Sequence, residues 1–247
     1  MLEARDIHLA GRLAGVSACI APGQLTAICG PNGAGKSTLL AALAGLVAPQ
    51  DGKVLLHDQP LAALPRQVRA RTLGYLPQQA SVAWDLSVRT LVALGRLPYA
   101  SGAAEDARAV ATALSTMMLE ELAERPVSTL SGGELARAHL ARVLAGEPRW
   151  ILADEPLAGL DLAHQTSLLA HLRDLADGGQ AVVLVMHDLA AAMNWADRVI
   201  VLHCGRVVAD DAPDVALAGD VLAAVWQVKA EWMGQPGARA LGLRRQT

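Results

Sequence analysis

The nine residues Gly30-Pro31-Asn32-Gly33-Ala34-Gly35-Lys36-Ser37-Thr38 fit the pattern G-x-x-x-x-G-K-[ST] at every fixed position. Leu25, Ala27, Ile28 and Cys29 in front of them suit a buried strand, and the alanine- and leucine-rich run Leu39 to Ala44 behind them suits a helix. Strand, glycine-rich loop and helix together aim backbone N–H groups and the positive end of a helix at an anion. Glycines allow the backbone to approach phosphates where a side chain would collide. Lys36 can then reach β- and γ-phosphates, and the Ser37 hydroxyl can ligate Mg²⁺. Lysine occurs at only three positions, 36, 53 and 229, so a chance lysine at this one is improbable. The expected ligand is a nucleoside triphosphate.

Two later segments carry matching chemistry. Ile151-Leu152-Ala153-Asp154-Glu155 is an apolar strand ending in two acids, which puts carboxylates at the sheet edge where nucleotides sit in open α/β folds. Asp154 is the expected Mg²⁺ ligand, and Glu155 the group that orients and polarises an attacking water. Ser131-Gly132-Gly133-Glu134 opens an apolar helix running to Ala145. It reads locally as a capping box, and it also offers a second anion cradle at a helix start.

These residues need an α/β scaffold. Three short strand-like runs lie between residues 2 and 28, and Lys53 to Leu56 and Leu73 to Leu76 read as further strands. From Asp85 to Ala123 the strand patterns give way to helical ones, at Ser87–Gly95 and Ala103–Met118. Strand–helix alternation resumes with Trp150–Ala153, a helix over 162–176, and Ala181–Met186, an unbroken apolar run of the kind found in central parallel strands. Arg198–His203 and Arg206–Ala209 form a strand pair across Cys204-Gly205. The chain from Pro213 reads as helical to about Trp226 and peripheral beyond it.

Composition narrows the class. Apolar residues make up 53% of the 247, yet no stretch supplies the roughly 20 uninterrupted apolar residues of a spanning helix. The mixed charges of Met1 to Asp6 are unlike a signal peptide. A net charge of −3 without a long basic run argues against nucleic acid as partner. Cys19, Cys29 and Cys204 lack metal-ligand spacing and are expected to be reduced core thiols.

Taken together, these segments resemble the ATP-binding subunits of ABC transporters from about residue 2 to about residue 210. Gly30–Thr38 resembles Walker A, Trp150–Asp154 Walker B, and Leu130–Glu134 the signature motif that lies between them in this family. The resemblance implies a P-loop NTPase core with a mostly parallel sheet, an N-terminal antiparallel β subdomain and a helical insertion over about 85–147. All of these fall within one domain spanning 1–247, with a peripheral segment from about 213. It implies ATP and Mg²⁺ as cofactors and a homodimer in which Ser131, Gly132, Gly133 and Glu134 face the partner subunit's ATP. It further implies Gln78 as a metal-touching Q-loop residue (Gln79 lies one position away), His187 as a switch histidine at the γ-phosphate, and Asp161 in the D-loop. Transmembrane permease subunits, and indirectly a substrate-binding protein, are the implied partners, with the chain peripheral on the inner face of the plasma membrane. Asp85 to Arg96 and the Leu-Gly-Arg-Leu-Pro-Tyr ending resemble importers of iron–siderophore, haem and cobalamin. The alternative is a non-transport ABC ATPase such as an iron–sulfur assembly subunit.

The pattern departs from the family in two places. Leu135-Ala136-Arg137 follows the signature, where many members have Gln-Arg. Residues 7–12, Ile-His-Leu-Ala-Gly-Arg, also lack the aromatic that stacks on adenine. Triphosphate contacts should then dominate affinity. Competition titration is expected to show ATP and GTP binding within about tenfold of each other, a gap of roughly 1.4 kcal/mol. His8 is the one ring in the segment, so the titration is repeated on His8→Ala; strong ATP preference surviving that change defeats the expectation.

Overall fold

The computed structural model describes residues 1–78 and 85–243. Gln79, the neighbouring candidate for the Q-loop, lies outside the described residues. The chain opens with an antiparallel pair, β1 (Leu2–Leu9) and β2 (Leu13–Ile20), before the central strand β3 (Leu25–Cys29). Helix α1 (Lys36–Leu43) follows, and β4 (Asp51–Leu56) and β5 (Gln59–Pro60) complete a four-stranded sheet of order β2-β1-β4-β5. Helix α2 (Arg66–Thr72) leads into β6 (Leu73–Leu76). The described residues between β6 and β7 (Trp150–Asp154) form no strand; they contain α3 (Val88–Ala93), α4 (Ala103–Thr116) and α5 (Gly132–Ala145). Then come α6 (Leu162–Asp177), β8 (Ala181–Val185), α7 (Leu189–Trp195), β9 (Arg198–His203) and β10 (Arg206–Asp211).

The main sheet has the order β10-β9-β3-β8-β7-β6, parallel from β9 to β6, with β10 antiparallel at its edge. Every residue of β3, β7 and β8 is buried, as expected of parallel strands covered on both faces. The strand alternation divides these side chains between two cores. Ile28, Trp150, Leu152, Val183, Val185, Ile200 and Leu202 pack on α1 and the antiparallel sheet. Leu25, Ala27, Ile151, Ala153, Val182 and Leu184 pack on the helices of the opposite face.

Register sets the level of the strand ends. Ile28 pairs with Val185, Val185 with Asp154, and Ala153 with Leu76. The residues just past β3, β8, β7 and β6 therefore emerge along one edge. Gly30, His187, Glu155 and Gln78 are among them.

Arg96 supplies a physical role for the Leu-Gly-Arg-Leu-Pro-Tyr stretch. Its guanidinium is buried, bonds Asp106 of α4 at 2.8 Å and Glu147 beyond α5 at 2.7 Å, and lies 3.9 Å from the centre of the Tyr99 ring. The arginine ties the end of α3 to both neighbouring helices.

Two helices and a hairpin end the described chain: α8 (Pro213–Ala216), α9 (Gly219–Trp226), and β11 (Ala230–Met233) paired with β12 (Ala240–Leu243). Sequence reading has no strand here, yet the hairpin is fastened to the core. The Trp232 indole N–H donates to the Leu217 carbonyl at 2.8 Å, and Asn194 makes two bonds to the Arg239 backbone. Cys204 also corrects an expectation. It is exposed in the β9–β10 turn with φ 47°, and only Cys29 is fully buried, its thiol pushed up to about 12 by desolvation.

Thr26, wholly enclosed in β3, has no hydrogen-bond partner for its hydroxyl among the described residues. Thr26→Val keeps the shape and removes that uncompensated group, so it should stabilise the fold by about 1 kcal/mol. A lower urea midpoint for the variant would sink this reading.

Candidate functional site

The carboxyl edge of the parallel strands opens into a cleft of about 580 Å³, lined by Arg12, residues 32–38, Gln78, Glu155 and His187. Residues from four neighbouring strand ends meet here: the loop after β3, His187 after β8, Glu155 after β7 and Gln78 after β6.

The loop leading into α1 has no side-chain cap at its N-terminus, which leaves the first N–H groups of the helix available to an anion. Gly30 and Gly35 are needed for the protein's own packing. A Cβ at Gly30, where φ is 147°, would lie 2.1 Å from the Leu202 carbonyl oxygen. One at Gly35, φ 103°, would lie 2.7 Å from the Arg12 carbonyl oxygen. The Lys36 ammonium folds back to the carbonyls of Gly30 (2.9 Å) and Pro31 (3.0 Å). Burial lowers its pKa, against the opposing pull of Glu155 and Asp154. A phosphate in the cleft would favour the charged form.

Ser37 and Asp154 meet directly, the hydroxyl donating to Oδ1 at 3.1 Å. Desolvation raises the Asp154 carboxyl, a penalty that a cation would relieve. Hard oxygen donors of this kind suit Mg²⁺. Among the described residues no cluster of three or more His, Cys, Asp or Glu could hold an ion alone.

Glu155 is the hub. Its Oε2 accepts from the Gln78 amide at 2.7 Å, and its Oε1 lies 2.5 Å from His187 Nε2. Its backbone is left-handed, φ 51°, an unusual state for a non-glycine residue and one often found at working sites.

Ser131, Gly132, Gly133, Glu134 and Asp161 do not line this cleft. Ser131 caps α5 and shares a reciprocal capping box with Glu134. Gly133 faces Leu160 and His164, while Asp161 caps α6 and bonds the His164 ring at 2.7 Å. Gly132 lines a neighbouring cavity that shares Gln78 and Glu155 with the first. His139 of α5 also lines it. Arg12 was not singled out, because nothing in the sequence shows that the β1–β2 turn reaches the loop.

Residues 13–158 match the ABC transporter family. The chain belongs to that family. Over 239 residues this ABC ATP-binding subunit is 44% identical to the hemin import ATP-binding protein HmuV of Streptomyces coelicolor, covering 95% of this chain and 85% of that protein. It is 42% identical to the protein of the same name from Myxococcus xanthus, covering 96% and 94% respectively. Among solved structures it resembles a chain described as from a metal-chelate type ABC transporter in an inward-facing conformation. That match has a TM-score of 0.84 and 25% identity, over 98% of this chain and 96% of the other. It also resembles the dimeric cassette MJ0796 in a post-hydrolysis state with ADP and Pi, with a TM-score of 0.78 and 28% identity, over 86% and 99%. No described helix is long and apolar enough to cross a membrane.

The Gly30 contact makes a test. Gly30→Ala forces a Cβ against backbone, so it should cost at least about 2 kcal/mol in stability and disable ATP binding. Thermal denaturation and nucleotide titration measure the two effects, and a fully stable, ATP-binding variant would refute the packing argument.

Proposed function

We propose that this chain hydrolyses ATP in the cleft between β3 and β6 as one half of a homodimer, and thereby drives a membrane permease that imports haem or a related metal chelate. The observation that carries the reading is the division of the site. Lys36, Ser37 and the Gln78–Glu155–His187 group line one cleft, Asp154 bonds Ser37 from the neighbouring cavity, and none of the signature residues lines the cleft.

Backbone N–H groups of residues 33–38 and the Lys36 ammonium bind the triphosphate. Ser37 and Asp154, with Gln78 beside them, would hold Mg²⁺, which supplies charge neutralisation on the β- and γ-oxygens. Glu155 accepts the proton of the attacking water while that water's oxygen bonds to the γ-phosphorus. The bond to the β–γ bridging oxygen then breaks, leaving ADP and inorganic phosphate. His187 holds Glu155 and contacts the γ-phosphate. The helix start at Ser131 and Gly133 closes on the γ-phosphate bound by a second copy, and Asp161 lies along that junction. ATP binding thus assembles the dimer and hydrolysis releases it.

The names of the relatives support haem as cargo and favour import over iron–sulfur assembly. An import role places the chain on the cytoplasmic face, docked to a permease that is fed by a binding protein. Cells lacking the gene should fail to accumulate labelled hemin, and normal accumulation would remove the cargo assignment.

Glu155→Gln should bind ATP normally, lose at least about 100-fold in turnover, and form an ATP-dependent dimer on size exclusion. Preserved turnover would take Glu155 out of the chemistry. Ser131→Arg should leave monomer affinity for ATP unchanged yet abolish hydrolysis. Lost affinity in the monomer would contradict a site completed by the partner.

A further inference from the structure

The cleft carries phosphate-binding groups, the loop of residues 32–38 with Lys36 and Ser37. Among the described residues its lining contains no Phe, Tyr or Trp, and its one ring, His187, is engaged with Glu155. The segment expected to meet the base, residues 7–12, turns its one ring elsewhere. His8 turns to Asp6 at 3.2 Å, Ala10 directs its N–H to Gln50 at 2.8 Å, and neither lines the cleft.

Arg12 does line it. Its backbone is held in place: the N–H donates to Leu9 at 2.9 Å, and its carbonyl is packed against both Gly35 and Gly205. Gly205 in turn accepts from Ala14 at 2.8 Å and donates to Ala34 of the phosphate loop at 3.1 Å. The β1–β2 turn, the phosphate loop and the β9–β10 turn are therefore stitched together with Arg12 at the junction. Its side chain is exposed and makes no hydrogen bond or ion pair among the described residues. Arg96, Arg173 and Arg198, by contrast, are each committed to carboxylates. A guanidinium is planar and weakly hydrated, and it stacks on aromatic faces.

We propose that the Arg12 guanidinium is the stacking platform for the adenine of ATP, in place of an aromatic ring. The proposal rests on the nucleotide-site reading above and adds the base contact to it. Any purine offers a π face, so this contact tightens ATP and GTP alike.

Calorimetric titration of the full chain with Mg²⁺ tests it, using ATP, GTP and inorganic tripolyphosphate as ligands. Arg12→Ala should weaken both nucleotides about five- to tenfold and leave tripolyphosphate unaffected. Arg12→Lys keeps the charge without the plane and should behave like Arg12→Ala. Arg12→Tyr should restore ATP affinity to the wild-type range. The proposal is overturned if Arg12→Ala leaves ATP affinity unchanged, if tripolyphosphate weakens in parallel (a phosphate contact), or if Arg12→Lys binds as wild type. Lys36→Ala is the control for the underlying site: it should abolish binding of all three ligands, and intact binding there would fail the site reading rather than the base contact. The Arg12 side chain is exposed and only its backbone packs, so each variant retains the fold; circular dichroism verifies this.

Discussion

Parallel strands buried on both faces leave polar chemistry one place to go, their carboxyl ends. In this chain β3, β7 and β8 have no exposed residue, so neither face of the sheet can hold a charged substrate. The register then brings the chain out of β3, β8, β7 and β6 at a common level. Lys36, His187, Glu155 and Gln78 converge because the hydrophobic strands before them are in step. Their sequence separation, from residue 36 to residue 187, is irrelevant to that convergence.

In and beside the cleft the charges are poorly satisfied by the protein alone. Lys36 is desolvated and holds only backbone carbonyls, and Asp154 is desolvated with one hydroxyl donor. Both shifts come first from burial, Lys36 downward and Asp154 upward. Each disfavours the charged form, and each is relieved by a ligand of opposite charge. A triphosphate with its cation would supply both partners together, so the electrostatics of the cleft suit that pair.

Much of this was legible in the sequence for identifiable reasons. Apolar strands bounded by turn residues marked β3, β6, β7 and β8 to within a residue; in β3, β7 and β8 this follows from burial on both faces. Helix α2 was not legible, since Arg66–Thr72 buries no residue and shows no apolar stripe. The β11–β12 hairpin was missed because side-chain-to-backbone bonds from Trp232 and Asn194 fasten it, and such bonds leave no periodic pattern. The glycines of the phosphate loop were legible as a motif, but the reason for two of them was not. Gly30 and Gly35 answer to Leu202 and Arg12, which are remote in sequence.

Glu155 shows how positions set by folding become a chemical arrangement. Its backbone is left-handed just past β7, and its carboxylate bonds Gln78 on one side and His187 on the other. The two partners come from strands β6 and β8, which flank β7 in the sheet. An amide does not titrate, so the hold of Gln78 on the carboxylate depends on where β6 ends. Gln78 and Glu155 also form the wall common to both cavities, and Gly132 at the start of α5 lies on the far side of that wall. A shift of α5 relative to the sheet therefore meets the same two side chains that face the cleft. Glu155 is thus the side chain shared by the cleft at the sheet edge and the cavity beside α5.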